Sequence, residues 1–286
     1  MDKTISELFA GCEKCNAARV LSPLENRLPC RETTSPEQDC GALRAAMALL
    51  WDEPVRQQLK QEFIKLSGSS CCGQLKGKLC VTHIELAQKL LRDFQQVKHT
   101  GKPRLLLLGD SIRMNYQNTV SELLKDEFDV VFPTENCRFA KYMLNELERY
   151  ILAAGKPDIV HWNAGAWDSA VVNPEDGMFT PVEEYCRYLS RIGRELLKIR
   201  PKVIFATTTP VLPGSVNQHL EYIQSRNEAA VPLMKKMGIV IDDLYSFVLP
   251  RRKELLKDDR IHLNPAGAEA VGRAVADSVR RTWNAV

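Results

Sequence analysis

The sequence predicts an α/β fold: a five-stranded parallel sheet with helices on both faces, behind a mainly helical, cysteine-rich N-terminal region. Three observations predict it. From residue 104 onward, five short runs rich in Val, Ile and Leu recur at strand length. Between each pair of runs lies a longer segment with apolar residues at helical spacing. Before residue 100 no strand signal is strong, and seven of the nine cysteines fall there.

The elements follow in order. Residues 1–100 form one region and residues 101–286 the other. In the first, 40–51 and 54–66 read as helices, broken at Asp52-Glu53-Pro54, because proline disfavours helix in the residue before it. A third helix is expected over 83–98, with Leu86, Leu90, Leu91 and Phe94 on one stripe. His99-Thr100-Gly101-Lys102-Pro103 is the junction. Strands are then expected over 104–108, 128–132, 158–162, 203–207 and 239–242. The helices between and after them are expected over 116–125, 139–154, 181–199, 218–237 and 265–283. Tyr142, Met143, Leu147, Tyr150 and Ile151 make the stripe of the second. Strand–helix alternation of this kind builds a parallel sheet covered on both sides, and ligands bind at the carboxyl ends of its strands.

Composition narrows the partners. The 286 residues carry 39 basic and 36 acidic side chains, a formal charge of +3. That balance does not point to nucleic acid or a membrane surface. No apolar run approaches the roughly 18 residues of a membrane span, and the first residues hold no apolar signal core. The expected location is therefore cytoplasmic.

Two short motifs carry chemistry. Leu105-Leu106-Leu107-Leu108 runs into Gly109-Asp110-Ser111. Taken alone, this reads as a strand entering a helix cap, because Ser and Asp oxygens accept helix N–H groups. Near the other end stands Asp259-Arg260-Ile261-His262, followed by Leu263-Asn264-Pro265. Taken alone, His262 reads as a loop histidine paired with Asp258 or Asp259. A nucleophilic serine needs a base, and the base needs a carboxylate to hold its tautomer. Asp259 and His262 are three residues apart on a loop before the last helix, so one turn brings both to one point.

Gly-Asp-Ser at the end of the first strand, together with Asp-x-x-His before the last helix, resembles the SGNH (GDSL-type) hydrolases over roughly residues 104–286. The resemblance implies a flavodoxin-like three-layer α/β/α domain and an esterase, lipase or carbohydrate deacetylase. It implies Ser111 as nucleophile, His262 as general base, Asp259 as its orienting partner and the Ser111 N–H as first oxyanion donor. Two middle blocks depart from the pattern. Where the family supplies a glycine N–H after the second strand, this chain reads Pro133-Thr134-Glu135-Asn136-Cys137-Arg138-Phe139. Arg138, or Cys137, is expected to supply that N–H, while Asn136 reads equally as a helix cap. The family's Gly-x-Asn-Asp is replaced by Asn163-Ala164-Gly165-Ala166-Trp167-Asp168. Asn163 takes the oxyanion amide role in this reading, or else bonds neighbouring loops. Trp167 becomes a wall of the substrate pocket, and the Thr208 hydroxyl another lining group unless it is an ordinary strand residue. Arg113 reads as exposed, with a polar substrate as its alternative partner.

The cysteines give one clean pair, Cys12-x-x-Cys15, with Cys30, Cys40, Cys71-Cys72 and Cys80 at irregular distances. Zinc favours paired spacings, so reduced or incidental thiols explain these better and no metal is expected. A disulfide framework needs an oxidising compartment that nothing in the sequence suggests. The expected function is a serine esterase acting on small, acetyl-type O-acyl esters, carbohydrate esters among them, through an acyl-enzyme and with no cofactor. An inactive or weakly active binding protein on the same frame is the alternative, and an acyltransferase using the same three residues is another. The expected partner is a small-molecule ester, not nucleic acid or a membrane.

Overall fold

The computed structural model describes residues 53–70, 72–75 and 100–285 with 156 and 200 omitted, together with 39, 40, 43, 46, 47, 50, 86 and 87. The chain divides into two compact units, one of residues 1–99 with 148–155, the other of residues 100–147 with 156–286. In the first, α1 spans Glu53–Ser67 and a 3-10 turn spans Cys72–Leu75. Cys12, Cys15, Cys30, Cys71 and Cys80, and most of the helices expected over 40–51 and 83–98, lie outside the described residues. Cys186, half-buried on the second unit, is a free thiol.

The second unit is built on strands β1 (Arg104–Leu108), β2 (Asp129–Val131), β3 (Ile159–Trp162), β4 (Lys202–Ala206) and β5 (Val240–Asp242). All pair in parallel, in the order β2-β1-β3-β4-β5, which is the flavodoxin order. The helices are α2 (Ser111–Leu124), α3 (Ala140–Ala154), α4 (Val182–Lys198) and α5 (Leu220–Lys236). After β5 come α6 (Leu244–Val248), α7 (Arg252–Leu255) and α8 (Pro265–Asn284).

Side chains alternate across a strand, so β1 and β3 each feed both faces. Leu105, Leu107, Ile159 and Ile204 join Ile112, Tyr116 and Val120 of α2 and Val271, Val275 and Val279 of α8 in one buried cluster. On β3 and β4, Trp162 and Phe205 meet edge to face at 4.8 Å. Helix α4 packs against α5 and β4. Continuous burial of β1 and β3 explains why these strands read as unbroken apolar runs.

Most boundaries shift by one or two residues from expectation. Helix α2 is the larger difference, starting at Ser111 rather than Tyr116. Asp110 is its N-cap, with Oδ1 accepting from the Ile112 N–H at 2.9 Å. Residues 111–115 mix polar and apolar types, so stripe counting misses the turn that the cap starts. The short helices α6 and α7 were not expected either; each is too brief to give a period.

Candidate active site

Ligand sites in this topology lie where the strand order reverses, at the carboxyl ends of β1 and β3. The Gly109-Asp110-Ser111 turn leaves β1 there, and Asn163 leaves β3 beside it. A Cβ on Gly109 would stand 2.7 Å from the Arg113 Cβ and 3.0 Å from Asn163 Oδ1. Glycine at 109 is thus required by close approach, and it brings the Asn163 amide against the serine turn.

The structure brings Ser111, His262 and Asp259 together across 151 residues of chain. Ser111 Oγ lies 2.8 Å from His262 Nε2. His262 Nδ1 lies 2.9 Å from Asp259 Oδ2. The tautomer that satisfies both contacts puts the proton on Nδ1, donated to the carboxylate, and leaves Nε2 to accept from the serine hydroxyl. Asp259 Oδ1 accepts from the N–H groups of Ile261 and His262, both at 2.9 Å. Burial pushes the Asp259 carboxyl up, but these donors and the His262 ring more than offset it, and it sits below its ordinary value. The carboxylate therefore stays ionised to lower pH than an ordinary aspartate.

The histidine loop is held from several sides. Lys257 N–H donates to His262 O at 2.8 Å, and Leu212 N–H to Arg260 O at 2.9 Å. Arg260 Nη1 donates to Pro213 O at 3.0 Å and to Gly214 O at 2.8 Å. From α2, Asn115 Oδ1 accepts the Leu263 N–H at 3.0 Å, one residue past the histidine. The sequence reading missed Asn115, whose only signal is its place one turn after the serine.

The remaining expected site residues divide. The Ser111 N–H opens α2 and has no hydrogen-bond partner among the described residues. Asn163 is buried, its Oδ1 unpaired. Arg138 takes a left-handed φ of 53°, the conformation a glycine adopts readily. Its N–H is nevertheless engaged, donating to Asn136 Oδ1 at 2.7 Å. The Cys137 N–H is engaged as well, donating to Gly109 O at 3.1 Å. Asn136 thus does not cap α3; it closes a local turn under Arg138. Trp167 is 41% exposed.

Thr208 needs correction, since it is 1% exposed and lines no open surface. Asn227 clamps it from α5, accepting the Thr208 N–H at 2.9 Å and donating to Thr208 O at 2.9 Å. The Thr208 hydroxyl packs under Gly165, where a Cβ would come within 2.3 Å of it. Arg113 needs correction too: it is wholly buried rather than exposed. Its Nη1 donates to Pro133 O at 2.8 Å and to Gln117 Oε1. Its Nη2 donates to Glu135 O at 2.6 Å and to Gly109 O at 3.3 Å. A sequence window cannot separate a surface arginine from one that crosslinks two loops.

The neighbouring loop is tied in turn. Asp168 Oδ2 accepts the Ala140 N–H at 3.0 Å, joining the 163–180 segment to the start of α3. Arg226 on α5, also buried, donates to Asp168 O at 3.2 Å and to Thr180 O. Phe139 meets Phe179 at 5.1 Å between ring centres, and Arg138 lies 4.7 Å over the Tyr142 ring. Among the described residues no cluster of His, Cys, Asp and Glu is arranged to hold a metal. No helix among them is long and apolar enough to cross a membrane.

No family model matches the chain, and no curated protein matches it in sequence. Solved structures do match. A lipase/acylhydrolase from Enterococcus faecalis superimposes with a TM-score of 0.54 at 21% identity, over 63% of this chain and 96% of its own. The chain shares the fold of that enzyme. The acetyl xylan esterase AlAXEase matches with a TM-score of 0.52 at 19% identity, over 62% of this chain and 99% of its own. A putative acylhydrolase from Bacteroides fragilis matches with a TM-score of 0.52 at 20% identity, over 66% of this chain and 94% of its own. The SGNH resemblance read from the two end motifs thus agrees with these structures at the level of fold.

Proposed function

We propose that the protein is a serine ester hydrolase of the SGNH type, acting on small O-acyl esters of the acetyl class. The observation that carries this reading is the continuous contact from Asp259 Oδ2 through His262 to Ser111 Oγ, at 2.9 and 2.8 Å. His262 takes the Ser111 proton as Oγ attacks the ester carbonyl, then delivers it to the leaving alcohol. Asp259 holds the ring and stabilises the imidazolium. Water activated by the same histidine next attacks the acyl-enzyme, releases the acid and restores the serine.

The oxyanion is held by the Ser111 N–H and the Asn163 amide. The Arg138 N–H joins them when Asn136 releases it. Small acyl groups are favoured because fold neighbours include an acetyl xylan esterase, and the partly exposed Trp167 offers a face for a sugar ring. The chemistry assigned to these side chains is complete without a cofactor.

A weakly active or binding role on the same frame is favoured by one observation: the Cys137 and Arg138 N–H groups are both already engaged. Turnover of p-nitrophenyl acetate separates the readings. The hydrolase turns it over, and Ser111→Ala lowers kcat by about 10³-fold or more while leaving the thermal midpoint in place. No turnover by the unaltered chain, or turnover that survives Ser111→Ala, overturns the assignment.

A further inference from the structure

The segment from Pro133 to Phe139 has no regular secondary structure and no glycine, yet it must hold its backbone beside the nucleophile. A tight glycine corner is not available to it. What it has instead is a guanidinium. Arg113 stands on the first turn of α2, two residues after Ser111, and is wholly buried. Burying a charge this deeply is costly unless its donors are satisfied. Among the described residues none of its hydrogen-bond partners is a carboxylate: they are the carbonyls of Gly109, Pro133 and Glu135, the side-chain oxygen of Gln117 and the Cys137 sulfur.

Those carbonyls belong to two different stretches. Gly109 is the nucleophile turn itself; Pro133 and Glu135 are the far loop. The Cys137 thiol also lies against the same nitrogen, 3.9 Å from Nη2. The planar fork of arginine reaches both stretches at once, and a lysine ammonium on a flexible stem does not reproduce that geometry. The loop also meets the turn directly, through the Cys137 N–H to Gly109 O contact at 3.1 Å.

We propose that Arg113 is a positioning residue for acyl transfer at Ser111: its guanidinium pins the 133–138 loop to the nucleophile turn and so sets the oxyanion side of the site. The proposal rests on the hydrolase reading above. Arg113 touches neither substrate nor His262, so its removal leaves ester binding and the proton path in place. It releases the loop, and donors displaced by a fraction of an ångström no longer match the charge of the transition state.

Arg113→Lys and Arg113→Met test this in the full chain, by p-nitrophenyl acetate kinetics and by amide hydrogen exchange resolved over 133–138 and 256–264. Arg113→Lys keeps the charge and carries the test if Arg113→Met does not fold. The expected result is a fall in kcat of about 100-fold, with KM within about twofold and an unchanged acid limb of the pH profile. Exchange over 133–138 quickens by about tenfold or more, as for a segment that opens locally, while 256–264 is unaffected. Unaltered protein that turns over ester while Arg113→Lys keeps its kcat overturns the positioning role, as does a loss shared equally by kcat and KM. Unchanged exchange over 133–138 overturns the pinning whether or not the chain turns over ester. Absence of turnover in the unaltered protein overturns the hydrolase reading instead.

Discussion

Asp110 caps α2 with one carboxylate oxygen and leaves the other buried and unpaired. Burial pushes its carboxyl up to about 6, against the lowering effects of the Ile112 N–H and the Arg113 charge. Between about pH 4 and 6 the unfolded chain has released this proton while the folded chain still holds it. The folded state then binds more protons, so this residue's contribution to stability falls as pH rises through the window. Above it the cost is full, on the order of 3 kcal/mol. Asp110→Asn keeps an oxygen for the Ile112 N–H and removes the titration. Its unfolding free energy relative to the unaltered chain should therefore climb from pH 4 to 7 in urea titrations. A difference that stays flat over that range removes Asp110 as the cause. The short segment Gly109-Asp110-Ser111 is legible in the sequence as a cap or a nucleophile; the cap is observed, and the nucleophile is our proposal, resting on the Ser111–His262 contact. The cap belongs to Asp110, which frees the Ser111 side chain for His262.

At the scale of elements, α2 does more than present Ser111. One turn further along, Asn115 holds the loop that carries His262, through the Leu263 N–H. Leu263 is buried, so that N–H has no water to fall back on. Asn115→Ala should cost about 1–3 kcal/mol in urea unfolding, the range for a buried donor left unpaired, and should lower kcat by letting His262 drift. Asn115→Asp restores an acceptor and should recover most of the stability. An Asn115→Ala protein equal to the original in both measurements would show the tie to be idle. The loops between elements are where sequence reading ran short. Arg113, Arg226 and Asn227 each crosslink main-chain groups far away in sequence. Nothing local marks them, because the burial that gives them their role exists only once the sheet has assembled.

At the scale of the whole molecule, the first compact unit takes in residues 148–155 as well as 1–99. The composition boundary near residue 100 and the packing boundary therefore differ: the last turns of α3, with buried Tyr150 and Ala154, group with the N-terminal part. A fragment of residues 100–286 contains Ser111, Asp259 and His262 but parts these turns from the rest of their unit. Exposing a residue such as Tyr150 costs about 2 kcal/mol, so the fragment should melt roughly 5 °C or more below the full chain. Calorimetry of the two proteins checks it, and a fragment melting at or above the full chain refutes the division.

The sequence by itself determined the parallel α/β architecture and the pairing of Ser111 with Asp259 and His262. Buried strands, amphipathic helices and the Gly-Asp-Ser and Asp-x-x-His motifs each leave a local pattern that survives without coordinates. Only the tertiary structure decided the surroundings of the serine turn. There Arg138 holds a glycine-like φ while its N–H is engaged by Asn136, Thr208 lies sealed beneath Gly165, and Arg113 turns inward to three carbonyls. Hydrogen-bond partners and burial are properties of what the folded chain brings near, and the local pattern of residue types does not contain them.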